Sequence, residues 1–324
     1  MVKVVRMTAA GGPEVLRLDD LPLAEPGAGE VRVRHAAIGV NFVDIYVRKG
    51  LYPAGDRPAP LGVEAAGVVE AVGDGVGCLS PGDRVAYAGL PPGSYAEART
   101  LPAARLLKLP AGLSLPVAAA GLLRGLTAHM LLFRVFPVGP GTVVLVHAAA
   151  GGLGGILVRW AKRLGAEVIG TVGNTAKAEM ARVAGADHVI VGRDGDIAAA
   201  VADFTHGRGV DYAIDGIGGE TLAKTLACVR KFGMVASIGQ AAGPIPPVPV
   251  EALGPVRSLA LSRPSVLAFA SEPDIYRAAG TAVLDLLASG LAAPVGGTYP
   301  LAGAAAAHAD LESGRTSGSL LLIP

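Results

Sequence analysis

Gly151, Gly152 and Gly154 lie in the stretch Val144-Leu-Val-His-Ala-Ala-Ala-Gly-Gly-Leu-Gly-Gly155, which holds one imidazole and no formal charge. Glycines at this spacing suit one kind of chemistry. Their bare backbone N–H groups can close on a phosphate at the start of a helix, where the partial positive charge of the helix end favours an anion. The pattern is Ala149-x-Gly151-Gly152-x-Gly154 rather than a literal G-x-G-x-x-G, and it makes Ala150, Gly151, Gly152, Leu153 and Gly154 the candidate contacts of a dinucleotide pyrophosphate. Glycine kept only for tight helix–strand packing is the competing reading. Roughly twenty residues further on, an NAD site normally carries an acidic residue for the ribose hydroxyls. Here Gly173, Asn174 and Thr175 offer no carboxylate, and Lys177, one turn into the next helix, can reach a 2′-phosphate. That combination selects NADPH, against the alternative of a lysine that is merely solvated. Arg193, at the next strand end, is a further candidate for the phosphate, and a surface arginine is the alternative.

The surrounding pattern supplies the elements that must hold these residues. "TVVLVH" is a β-branched apolar run of strand length, and "ILVRWAKRLG" carries apolar residues at helical spacing up to Gly165. The alternation then repeats: "AEVIGTV" as strand, "TAKAEMARVAG" as helix, "ADHVIV" as strand, "DIAAAVADFTHG" as helix, "VDYAIDGI" as strand, "GETLAKTLACVRKFG" as helix and "GMVASIGQ" as strand. Such alternation predicts βαβ units in a parallel, doubly wound sheet with the glycine loop at its first turn. Position there, more than the glycines themselves, favours cofactor binding over packing.

The first 125 residues read as a twisted antiparallel β-domain, with "EVRVRHAAIGV", "AAGVVEAVGDGV" and "GDRVAYAG" as strands and few convincing helices. After Arg263 come a helix ("DIYRAAGTAVLDLLASG"), a short strand near Tyr299, a helix around "AGAAAAHADLESG" and a terminal strand, too little to fold alone. This tail is expected to return and complete the first domain.

Composition removes several function classes. Twenty-eight basic and 27 acidic residues are interspersed without a Lys/Arg cluster, which argues against nucleic acid or an acidic membrane as partner. The two cysteines, Cys78 and Cys228, lie far apart and outside any C-x-x-C pattern, so a reducing cytoplasm is expected. The N-terminus has no signal-peptide core. A hydropathy window flags Thr142–Val158, but five glycines inside it argue against a membrane helix.

The segments "GGPEVL" (11–16), "GVNFVDIYVRKGLYP" (39–53), "LGVEAAGVV" (61–69), "GDRVAY" (82–87), "GLTAH" (125–129), "HAAAGGLG" (147–154), "SRPS" (262–265) and the terminal "LLLIP" run from end to end of the chain. Together they resemble the medium-chain dehydrogenase/reductase superfamily, and within it the NADPH:quinone oxidoreductases related to zeta-crystallin. The resemblance implies a GroES-like β-rich domain in two pieces, 1–125 and 264–324, around a Rossmann domain at 126–263. It also implies a small-molecule quinone as substrate and a homodimer formed through the Rossmann sheet edge. Zinc members of the superfamily take ligands from a Cys near the position of Asn41 and a His in a Gly-His-Glu segment. Here Gly62-Val63-Glu64 stands in that segment, and two cysteines with six scattered histidines build neither a catalytic nor a structural zinc site.

By the same resemblance, Asn41 and Tyr46 lie beside the nicotinamide and its ribose, and Thr127 begins the first interdomain helix near them. Ile217, Ile238, Gln240 and Arg263 complete the cofactor contacts. Tyr46 or Tyr52 stacks on the acceptor and supplies a phenolic proton donor, with packing inside the β-domain as the plain alternative for both. Gly192 stands where relatives often have a Tyr, and Arg315 is one position away from their arginine. A quinone accepts hydride without Lewis-acid help because the developing oxyanion delocalises into an aromatic hydroquinone. Two other readings stay open: an enoyl or alkenal reductase, and a non-catalytic, crystallin-like NADPH-binding protein.

Overall fold

The computed structural model describes residues 1–192 and 195–324, so Arg193 lies outside the described residues. The chain divides into two compact units, Met1–Leu126 with Val266–Pro324, and Thr127–Ser265; the joins expected from sequence were 125/126 and 263/264.

In the second unit, parallel strands form a six-stranded sheet in the order His188–Val191, Glu167–Val172, Val143–Val146, Val210–Asp215, Val229–Ser237 and Ala260–Ser262. The chain winds from the central strand to one edge, crosses back, and winds to the other. The reversal falls between Val143–Val146 and Val210–Asp215, where doubly wound sheets open a ligand crevice at the carboxyl ends of their strands. Both strands are buried along their whole length, as a sheet covered on two faces requires; Val143–Val146 is apolar throughout, and Val210–Asp215 buries Asp211 and Asp215 with it. The helix Gly152–Arg163 turns Ile156, Leu157, Val158, Trp160 and Ala161 inward. Its last turn places Lys162 and Arg163 against the negative end of the helix dipole.

Two expectations for this unit need correction. The helix expected to run through Arg230 and Lys231 ends at Cys228, and Val229–Ser237 is strand. The cause is tertiary: Arg230 is held by the carboxylate of Asp211 on the neighbouring strand, with a register shift between Val210 and Tyr212 absorbing the mismatch. The edge strand Ala260–Ser262 was not anticipated, because three residues carry no readable period.

The first unit centres on a seven-stranded sheet built on Glu30–Val40, which pairs antiparallel with Glu64–Val72, with Ala98–Pro102 and with the C-terminal strand Ser319–Ile323. The C-terminal strand also pairs parallel with Val295–Pro300, so the sheet is mixed rather than purely antiparallel. Val31, Val33, Ile38, Val40, Leu320 and Leu322 lie in its core.

Helices were under-read here. Phe42–Arg48 is too short to show a period, and Leu115–His129 is small and apolar on every face, so neither produces an amphipathic pattern. Thr127 consequently lies in the last turn of Leu115–His129 and does not begin a helix. The window Thr142–Val158 is strand, turn and helix. Among the described residues, the helix long and apolar enough to cross a membrane is instead Leu115–Val135, and 72% of its apolar window is already buried.

Candidate cofactor and acceptor sites

Strand Val143–Val146 leads through His147 and Ala148, whose φ is +52°, to Gly151, the N-cap of helix Gly152–Arg163. No side chain caps this helix, so its first-turn N–H groups have no side-chain acceptor. A Cβ on Gly154 would stand 2.2 Å from the carbonyl oxygen of Ala148, and one on Gly151 3.1 Å from the same atom. The packing reading of the glycines is therefore seen directly, beside a helix start that no side chain caps. Gly154 permits helix–strand contact, and the bare turn at Gly151–Gly152 leaves a donor-lined surface that fits a pyrophosphate.

Gly173 and Asn174 are exposed at the end of Glu167–Val172. Asn174 caps helix Thr175–Val183, its Oδ1 accepting from the backbone N of Lys177 at 3.0 Å. The cap fixes the turn that carries Lys177, whose side chain is half-buried. Gly192 holds a φ of +108°, a conformation rarely open to a residue with a side chain.

Ile217 and Ile238 are half-buried just past the ends of Val210–Asp215 and Val229–Ser237, and Gln240 follows two residues later. Asp215 organises both turns: its Oδ1 accepts from the N–H groups of Ile217 (2.8 Å) and Gly218 (3.0 Å), and its backbone carbonyl accepts from Ile238 N at 2.8 Å. Arg263 donates to Ser237 Oγ at 2.9 Å and to the carbonyls of Ser237 and Gly239 at 3.3 Å. It thus braces the loop that carries Gln240. The glycine loop, the 173–177 turn and the 217 and 238–240 turns all lie at the carboxyl ends of the parallel strands.

In the first unit, Asn41 precedes helix Phe42–Arg48 and is buried. Its Nδ2 donates to Glu64 Oε2 at 2.8 Å, and its backbone N to Asp44 Oδ2 at 2.9 Å. Tyr46, on the same helix, is buried, and its ring meets that of Tyr52 edge-on at 5.5 Å between centroids. Tyr52 also packs against the core of this unit.

Sequence reasoning missed the polar cluster underneath. Glu64 is fully buried, with Oε1 accepting from Leu123 N at 2.6 Å and Oε2 lying 3.6 Å from Arg124 Nη1. Arg124 also donates to the carbonyls of Val40 (2.6 Å) and Ala120 (2.9 Å). Burial pushes the Glu64 carboxyl up and the Arg124 guanidinium down, each partly offset by the other. The only sequence signal was a single charge inside each of two apolar runs, "GVEAAGVV" and "AAAGLLRGLTAH".

Asp44 Oδ2 accepts from Tyr95 Oη at 3.1 Å as well as from Asn41 N, yet burial raises its carboxyl to about 7. The raised value means that the folded chain holds this proton more tightly than the unfolded one. The contribution of Asp44 to stability therefore falls as pH rises from about 4 to about 7, by at most about 1.4 kcal/mol per pH unit. Asp44→Asn should flatten that part of the stability–pH curve, followed by urea unfolding between pH 4.5 and 8. An unchanged slope would show that Asp44 does not carry it.

A doubly wound parallel sheet with an uncapped, glycine-lined helix start beside its switch point defines a dinucleotide-binding chain, here in one chain with the β-rich first unit. The description "Alcohol dehydrogenase GroES-like domain" matches residues 27–111, and "Zinc-binding dehydrogenase" matches residues 152–284. A quinone oxidoreductase of Pseudomonas aeruginosa is 41% identical over the whole of both chains. A 2-haloacrylate reductase of a Burkholderia species is 43% identical over 100% of this chain and 99% of its own. The crystal structure of Escherichia coli quinone oxidoreductase complexed with NADPH superposes with a TM-score of 0.95 at 39% identity, covering 99% of this chain and 100% of that one. The chain belongs to the medium-chain dehydrogenase/reductase superfamily, among its quinone oxidoreductases. Despite the zinc in one family description, no group of three or more His, Cys, Asp or Glu among the described residues is placed to hold a metal ion.

Proposed function

We infer that the chain is an NADPH-dependent quinone reductase, with residues 126–263 as cofactor domain and 1–125 with 264–324 as catalytic domain. The observation that carries this reading is the uncapped glycine turn at the end of Val143–Val146, in a chain whose full-length relatives include a quinone oxidoreductase solved with NADPH. Bound NADPH would supply the hydride. Backbone N–H groups from Ala150 to Gly154 hold the pyrophosphate, and Gly173, Asn174 and Lys177 receive the 2′-phosphate. Ile217, Ile238 and Gln240 line the remainder, with Arg263 bracing their loop and Thr127, Asn41 and Tyr46 beside the nicotinamide. Tyr46 or Tyr52 packs on the acceptor and donates a proton from its Oη to the reduced quinone oxygen. Asn41 and Val63 leave the zinc-ligand positions without a thiolate or an imidazole, and a quinone needs neither.

The two distant cysteines, outside any C-x-x-C pattern, support a cytoplasmic protein, and the interspersed charge supports a small-molecule partner rather than nucleic acid or membrane. A homodimer is supported by the edge strand Ala260–Ser262 and by exposed Phe232, Val250 and Val256 in the segments around it. The Burkholderia relative favours a second reading, reduction of a carbon–carbon double bond conjugated with a carbonyl, which uses the same hydride.

Steady-state oxidation of NADPH and NADH with 1,4-benzoquinone, a naphthoquinone and an enone separates these readings. NADPH oxidation by the quinones, with NADH used poorly, is expected. Turnover with the enone alone would replace the first reading by the second, and equal use of NADH would remove the role given to Lys177.

A further inference from the structure

The cofactor turns come from two halves of the sheet, and one buried imidazole joins them. His147 Nδ1 meets Thr171 Oγ1 at 2.9 Å, at the end of Glu167–Val172, and its Nε2 meets Thr225 Oγ1 at 2.8 Å, on helix Thr221–Cys228. Thr225 Oγ1 in turn lies 3.0 Å from Asp215 Oδ2 and 2.9 Å from the carbonyl of Thr221. Thr225 has one hydroxyl proton, committed to one or other of those acceptors, so its oxygen must accept from His147 Nε2–H. The imidazole is then the Nε2–H tautomer, and Nδ1 accepts from the hydroxyl of Thr171. Burial keeps the ring neutral by lowering its basicity. The last link is Asp215 Oδ1, which accepts from Ile217 N and Gly218 N and so shapes the turn beyond its strand.

A dinucleotide lies across a doubly wound sheet with one mononucleotide on each side of the switch point. Thr171 ends a strand on the side of Gly173, Asn174 and Lys177, whereas Asp215 and Ile217 belong to the other side. The strands themselves are fixed by their ladder, but the turn from Gly216 to Gly218 has left the ladder, and its N–H groups at Ile217 and Gly218 are held by Asp215 while its carbonyls accept from Ala241, Ala242 and Thr221. We propose that His147 and Thr225 are positioning residues that set the Ile217 turn, and with it the nicotinamide half of the cofactor site, against the phosphate half. This rests on the NADPH reading above. Both side chains are buried, which suits positioning rather than contact with ligand.

Thr225→Val removes the hydroxyl with little change in volume, and Thr225→Ala removes it without the β-branched bulk, so that a packing failure of valine cannot hide the outcome. Each folded variant is titrated calorimetrically with NADPH and with 2′,5′-ADP, which engages the phosphate half only. The Kd for NADPH should rise about tenfold, the size of one lost buried hydrogen bond, while that for 2′,5′-ADP stays within about twofold. Thr225→Ser, which keeps the hydroxyl, should restore NADPH binding. Equal weakening of both ligands, no weakening of either, or failure of serine to restore binding would overturn the positioning role. A wild-type protein that binds neither ligand would bring down the cofactor reading itself, an outcome distinct from variants that bind as wild type does.

Discussion

Gly154→Ala should weaken NADPH binding at least about a hundredfold. The added Cβ would sit 2.2 Å from the Ala148 carbonyl oxygen and 2.9 Å from the Ala149 Cα. Both obstacles are backbone, so no side chain can swing aside, and helix Gly152–Arg163 must retreat from the strand by about 1 Å in a close-packed interior. The N–H groups at its start then lose their convergence on the pyrophosphate, and several charge-assisted hydrogen bonds lengthen together, a loss of about 3 kcal/mol or more. Fluorescence titration with NADPH measures the affinity, and far-UV circular dichroism reports whether the sheet survives. Gly139→Ala is the control within the same unit, since its Cβ would meet nothing within 4 Å. If Gly154→Ala bound NADPH as tightly as the control, the glycine turn would not be the pyrophosphate site.

The elements of that candidate site could be read from sequence because each of their signals is local. Strand, glycine turn, helix and missing carboxylate fall within one stretch from Val143 to Lys177, and alternation fixes their place in the sheet. Signals failed where a distant partner decides the structure. Arg230 and Lys231 carry a pattern that continues a helix, but Asp211 draws Arg230 into the ladder. Leu115–His129 has no polar face to mark it, because most of it is buried from Ala118 to Leu126. Arg263 was expected by resemblance among the cofactor contacts, and its sequence neighbours do not say what its side chain does. Which work it does, bracing Ser237 and Gly239, depends on a loop more than twenty residues away. The cluster of Asn41, Asp44, Glu64 and Arg124 is assembled from three separate segments, and no spacing rule connects them. Tyr46 and Tyr52 are intermediate: their closeness follows from the chain turning after Arg48, while their pairing as rings is a fact of packing.

Arg124→Leu should destabilise the folded chain by about 3–5 kcal/mol, the usual consequence of removing one partner from a buried ion pair. Glu64 would keep its hydrogen bonds from Asn41 and Leu123 but lose the positive charge that offsets its burial. Loss of the Arg124 bond to the Val40 carbonyl adds to the cost, whereas the Ala120 carbonyl keeps the Ser319 hydroxyl as a donor. The loss has a defined pH dependence. Glu64 already titrates above its ordinary range, and without Arg124 it would titrate higher still, so the variant gains stability as pH falls and the carboxyl takes a proton. Glu64→Gln in the Arg124→Leu background removes the charge that needs a partner, and the double variant should recover more than half of the stability and lose the pH dependence. Scanning calorimetry of wild type, both single variants and the double variant at pH 5 and pH 8 completes the cycle. Equal losses for Arg124→Leu at the two pH values would mean that the arginine acts through packing and its carbonyl contacts alone. Asn41 adds a functional consequence, because its amide is anchored to Glu64 rather than to a metal. Recovery of folding in the double variant, with a glutamine still able to accept from Asn41, should bring quinone reduction back with it.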